Sequence, residues 1–94
     1  MFAWDNKKAV NNLEKHGVSF QEAISVFLDP DGLDYVTVKH KTSEPRNLRL
    51  GVSICDRILI VVYTIRDRKD GKETIRIISA RQASRKERKA YTGF

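Results

Sequence analysis

Cysteine is nearly absent from this chain. Its single thiol, Cys55, has no partner for an internal disulfide and excludes a zinc site built on four cysteines. One unpaired thiol fits a reducing cytoplasm. Long apolar runs are missing too. The longest, Ile58 to Ile65, falls well short of the roughly 20 residues that a membrane-spanning helix needs. The opening MFAWDNKK lacks the apolar stretch of a secretory signal, so a cytoplasmic protein without a membrane partner is expected. No glycine-rich phosphate loop or dinucleotide fingerprint occurs. His16 and His40 stand far apart among scattered carboxylates, which is not metal-ligand spacing, so no metal and no other cofactor is expected. No Ser/His/Asp arrangement stands out, and there are no repeats, low-complexity tracts or linkers. At 94 residues the chain makes one domain, 1–94, with a thin stability margin that a bound partner would widen.

What is abundant is positive charge, and it is uneven. The net charge is +6, yet residues 1–45 carry five Lys/Arg against seven Asp/Glu. Residues 46–94 carry thirteen against five, and all nine arginines lie there. The planar guanidinium fork matches phosphate oxygens, so a concentrated arginine field predicts a polyanionic partner, either nucleic acid or an acidic protein. A solvated basic face without a ligand is the plainer alternative.

Local signals divide the chain into short elements. Phe2 and Trp4 lie in a short extended strand. Asp5 sits at the N-cap of a helix over 6–15, and Gly17 supplies its left-handed stop. Ser19 and Glu22 form a capping box for a second helix, whose inner face is Phe20, Ala23, Ile24 and Phe27. Asp29-Pro30-Asp31-Gly32 ends it. Alternation then predicts strands over 34–40 and 46–54, residues 57–66 are apolar on both faces and read as a central strand, and an Asp-Gly hairpin signal precedes a last strand over 73–81. Ser84 and Glu87 make another capping box that opens a basic helix to about Tyr91. The expected architecture is α+β: two N-terminal helices packed on one face of a four-stranded antiparallel sheet, a short N-terminal strand and a C-terminal helix. The opposite sheet face is left to carry polar groups and bind.

Cleaving RNA suits a chain without metal ligands. The 2′-hydroxyl is the nucleophile. The protein must align it with the phosphate, take its proton, stabilise the added negative charge and protonate the leaving oxygen. Arginines supply the charge. Arg46 begins one strand, Arg66 ends the central one, Arg76 and Arg81 lie on the last, and Arg85 and Arg88 stand one turn apart on the final helix. For Arg57 and Arg68, beside turns, simple solvation is favoured. His16 near a helix C-terminus serves the last carbonyls or moves a proton. His40, between lysines, reads as a surface residue. Glu87 is a capping residue first and a base second. Tyr91, one turn on, reaches the sheet edge or packs. Trp4 reads as a core anchor, although aromatics also stack on unpaired bases.

Phe2-Ala3-Trp4-Asp5 with Lys8 and Asn12, Lys15-His16-Gly17-Val18 and Phe20-Gln21-Glu22-Ala23 resemble the opening of the BrnT toxin family. Ile58 to Thr64, Ile75 to Arg81, and Arg85-Lys86-Glu87-Arg88 with Tyr91 resemble its closing half. The resemblance implies a type II toxin with a RelE-like ribonuclease fold that cleaves RNA. It implies neutralisation by a BrnA-like antitoxin whose DNA-binding part contacts operator DNA, in a 2:2 assembly. By position it implicates Lys15, His16, Arg46, Arg66, Arg81, Glu87 and Tyr91. In the working assignment Arg66 and Arg81 clamp the phosphate, and His16 or Glu87 takes the proton. Tyr91 or Lys15 assists at the leaving group, and Arg46, Arg76, Arg85 and Arg88 bind RNA with Lys15. Where many family members resemble Thr-Glu-Arg, this chain reads Thr64-Ile65-Arg66. The competing reading is a non-catalytic module that binds RNA or antitoxin in operon autoregulation. A DNA-binding regulator ranks behind it, because no helix-turn-helix pairing is visible.

Overall fold

The structure, a computed structural model, describes residues 1–36, 46–67 and 69–93. The far end of the strand expected over 34–40, His40 and Arg68 lie outside the described residues. In chain order the elements are β1 (Phe2–Ala3), α1 (Asn6–His16), α2 (Phe20–Ile24), a 3-10 turn (Ser25–Leu28), β2 (Leu33–Val36), β3 (Asn47–Val52), β4 (Ile58–Asp67), β5 (Glu73–Gln82) and α3 (Arg85–Thr92).

The helix ends follow the cap chemistry. The Asp5 carboxylate accepts from the Lys7 amide, and Gly17, at φ 69°, donates its amide to Leu13. Ser84 and Glu87 form both halves of their capping box. At α2 only half of the expected box forms: Ser19 accepts from the Glu22 amide, but the Glu22 carboxylate turns to Ser53 and Arg57.

The expected architecture needs correction. The sheet has five strands in the order β1-β5-β4-β3-β2 and is mixed, because β1 pairs parallel with β5. Phe2 lies opposite Ile75, and the Ile75 amide donates to the Met1 carbonyl at 2.8 Å. The second helix is not a full helix either. Five residues of α2 tighten into the 3-10 turn, whose end is held from outside. Arg49 donates Nε to the Val26 carbonyl at 2.9 Å and a terminal nitrogen to the Asp29 carbonyl at 2.6 Å, satisfying acceptors that a helix end leaves open.

Three layers result. Val18, Phe20, Ala23 and Val26 pack against Leu59, Val61, Tyr63, Ile77 and Ala80 on one sheet face. Trp4 meets Phe20 edge-on, and Phe27 meets Tyr63 likewise. On the other face Leu50, Ile60 and Ala83 form a smaller cluster with Leu33, Leu48, Ile58 and Tyr91, where α3 docks. A bulge in β5 between the partners of Val62 and Tyr63 resets its alternation at Ile78.

Candidate nucleic-acid interface

Strand register sorts the arginines. Ile60 lies opposite Arg81, Thr64 opposite Arg76 and Arg66 opposite Thr74. Cross-strand partners share a sheet face, so Arg66, Arg76 and Arg81 project from the α3 face, away from α1 and α2. Arg46 immediately precedes β3 and is exposed. Arg49 alternates to the other face, where it pairs with Asp34 at 2.6 Å and lies 5.4 Å above the Phe27 ring. Arg57 pairs with the buried Glu22, whose carboxyl its hydrogen bond holds below the usual range. These two arginines are structural.

Two contacts fasten α3 across the face. At its start Arg81 grips Glu87 in a fork, with nitrogen–oxygen distances of 2.8 and 2.9 Å. That hydrogen bond, opposed by burial and aided by the Ser84 amide, depresses the Glu87 pKa to about 2. At its end the Tyr91 hydroxyl donates to Asp29 Oδ2 at 2.5 Å, which raises the Tyr91 pKa to about 12. Burial pushes Asp29 up, but the Tyr91 hydroxyl and the Val52 and Asp31 amides outweigh it and leave its pKa lowered. Arg85 and Arg88 remain exposed on α3.

The His16 side of the molecule meets the edge of β5. Asn12 donates to the Val18 and Ala80 carbonyls at 2.9 and 2.8 Å and accepts from the Ala80 amide at 3.0 Å. This side chain completes a stretch of β5 edge that β1 is too short to cover. One turn later, Lys15 and His16 line a concavity of about 220 Å³ with Lys8, Asn11, Ile78 and Ser79. Asn12 is bonded to Ala80, the residue before Arg81, so α1 delivers His16 to the β5 edge near the Arg81 end of the face.

The structure thus brings Arg66, Arg76 and Arg81 to one face, joins Arg81 to Glu87, and groups Lys15 with His16. Tyr91 lies at the far end of α3, on Asp29. Ile65 lies opposite Ile75, on the helix-covered side. A glutamate at this position would therefore project away from Arg66 and Arg76. Lys8 and Asp29 were not among the expected site residues. Lys8 stands two turns before Lys15 on one helical face, a spacing that was legible; Asp29 read only as a turn residue. Among the described residues no group of three or more His, Cys, Asp or Glu is placed to hold a metal ion. None of their helices is long and apolar enough to cross a membrane.

Comparison with known proteins gives the same direction. No curated protein matches the chain. A solved structure, the Brucella abortus ribonuclease toxin BrnT, is similar with a TM-score of 0.63 and 26% identity, over 90% of this chain and 99% of that one. The family model described as the ribonuclease toxin, BrnT, of type II toxin–antitoxin systems matches residues 4–87. With nearly its whole length matched, this chain belongs to the BrnT family of ribonuclease toxins.

Proposed function

We propose that this chain is a metal-independent endoribonuclease that cuts RNA laid across the α3 face of its sheet. A BrnA-like, DNA-binding antitoxin neutralises it in a 2:2 complex in the cytoplasm, and operator DNA is reached only through that antitoxin. The observation that carries the reading is the gathering of Arg66, Arg76 and Arg81 on one sheet face, with Arg85 and Arg88 exposed on the helix that crosses it.

In this reading Arg81 and Arg76 hold the phosphate and stabilise the charge that builds on it, with Arg66 and Arg46 extending the track. Glu87 fixes the guanidinium fork of Arg81. A carboxylate with a pKa near 2 is a poor proton acceptor at neutral pH, so the base is His16, at the β5 edge. Lys15 protonates the leaving 5′-oxygen. Tyr91 anchors α3 through Asp29, and Arg85 and Arg88 add phosphate contacts.

Cleavage of purified RNA by Arg81→Ala and His16→Ala tests these roles, with folding checked by circular dichroism. Removing one oxyanion donor or one proton-transfer group is expected to lower the rate by roughly 100-fold or more. Parent-level cleavage by a folded variant contradicts the role given to that residue. The Arg81–Glu87 pairing favours a second reading, since it occupies the main candidate clamp: RNA binding without cleavage. Intact RNA together with tight, salt-sensitive binding would support it.

A further inference from the structure

The face assigned to RNA carries a row of side chains that the roles above leave unused. Register places Tyr35, Leu48, Val62 and Ser79 side by side across β2, β3, β4 and β5. The row on one side holds Leu33, Leu50, Ile60 and Arg81, where α3 docks. The row on the other side holds Thr64 and Arg76, with Arg66 beyond. An apolar strip over β2, β3 and β4 therefore ends at Ser79 on β5, between Arg81 and Arg76.

Tyr35 distinguishes this strip from ordinary surface. The residue is 45% exposed. Tyr63 and Tyr91 each donate their hydroxyl to an aspartate, whereas the Tyr35 side chain makes no hydrogen bond or ring contact among the described residues. Beside it Leu48 and Val62 are only half-buried. RNA has the complementary pattern, with anionic phosphates alternating with flat apolar base faces. A base face is available only when the strand is unpaired, because in an A-form duplex the bases are stacked and the exposed surface is backbone and shallow groove.

Resting on the assignment of this face to RNA, we propose that Tyr35, backed by Leu48 and Val62, is a stacking shelf for a nucleobase, so that the substrate is unpaired RNA. A strand whose phosphates lie on Arg76 and Arg81 at the β5 end runs along this row, and a base further along it reaches Tyr35 at the β2 end, three strands or about 14 Å away. Tyr35 is thus a binding residue that holds the strand along the row.

The test uses a fluorescent, fully 2′-O-methylated oligoribonucleotide, which lacks the nucleophile and stays intact, both single-stranded and annealed to its complement. The parent should bind the single strand more tightly than the duplex. Tyr35→Ala should weaken single-strand binding by roughly five- to a hundredfold, with duplex binding little changed, and Tyr35→Phe should restore it. An equal loss for Tyr35→Phe, or single-strand affinity unchanged in Tyr35→Ala while Arg76→Ala weakens it, would overturn the shelf and leave the RNA face standing. Unchanged affinity in both Arg76→Ala and Arg81→Ala would remove the RNA face itself, and the shelf with it.

Discussion

Asn12 and Thr64 are both buried polar side chains, and their circumstances are opposite. Asn12 makes three hydrogen bonds to main-chain groups of Val18 and Ala80. Thr64 is 3% exposed, and its hydroxyl has no partner among the described residues. Leaving a buried polar group unsatisfied costs about 1–3 kcal/mol. Asn12→Leu strands three main-chain groups at once and should destabilise the fold by at least about 2 kcal/mol, measured by denaturant unfolding. Thr64→Val removes the orphan and should raise the melting temperature by about 4–8 °C per kcal/mol regained. A lower melting temperature would mean that the hydroxyl is satisfied after all. Neither circumstance was legible in the sequence. Asn12 stood out only through family resemblance, because an asparagine within a helical stretch reads as solvent-facing. Thr64 fits any strand, and only the tertiary packing reveals that its hydroxyl is enclosed.

At the scale of elements, α3 is held by one contact that loosens in acid and another that loosens in base. The folded pKa of Glu87 is about 2 against an ordinary 4.5. A depressed carboxylate contributes stability above its unfolded pKa, and that contribution is lost as pH falls from about 4.5 toward 2. The folded pKa of Tyr91 is about 12 against 10. A raised tyrosine contributes below its unfolded pKa, and the contribution is lost as pH rises from 10 toward 12. Amide hydrogen exchange or NMR shifts of Arg85–Thr92 should therefore report loosening in the acidic window that Glu87→Gln flattens, and in the alkaline window that Tyr91→Phe flattens. Windows unmoved by these variants would show that other groups control the docking. The helix ends of α1 and α3 were readable, because caps depend on a few adjacent side chains. The place of the expected N-terminal strand in the sheet was not. β1 joins through main-chain bonds to β5, which leave no side-chain pattern in two residues. The shortening of α2 was equally hidden, since Arg49, 21 residues beyond the turn, holds its end.

For the whole molecule, the charge asymmetry of the sequence becomes a two-sided object. The acidic N-terminal half supplies α1, α2 and buried carboxylates such as Glu22 and Asp29, while the basic half supplies β3, β4, β5 and α3. Composition alone pointed to a polyanion, but it did not separate Arg49 and Arg57, which turn to Asp34 and Glu22, from Arg66, Arg76 and Arg81, which share the α3 face. That separation needs the register and the β5 bulge. If Arg85 and Arg88 each neutralise one phosphate of a single strand, replacing both by alanine should reduce the slope of log affinity against log salt by about 1.4. An unchanged slope would place RNA elsewhere. The most direct measurement is cleavage of purified RNA by the isolated protein in excess EDTA, beside Arg81→Ala, with analysis of the new 3′ ends. Fragments ending in 2′,3′-cyclic phosphate from the parent, and far fewer from Arg81→Ala, are the predicted result. Cleavage abolished by EDTA and restored by a divalent cation, or fragments bearing 3′-hydroxyl ends, would contradict it.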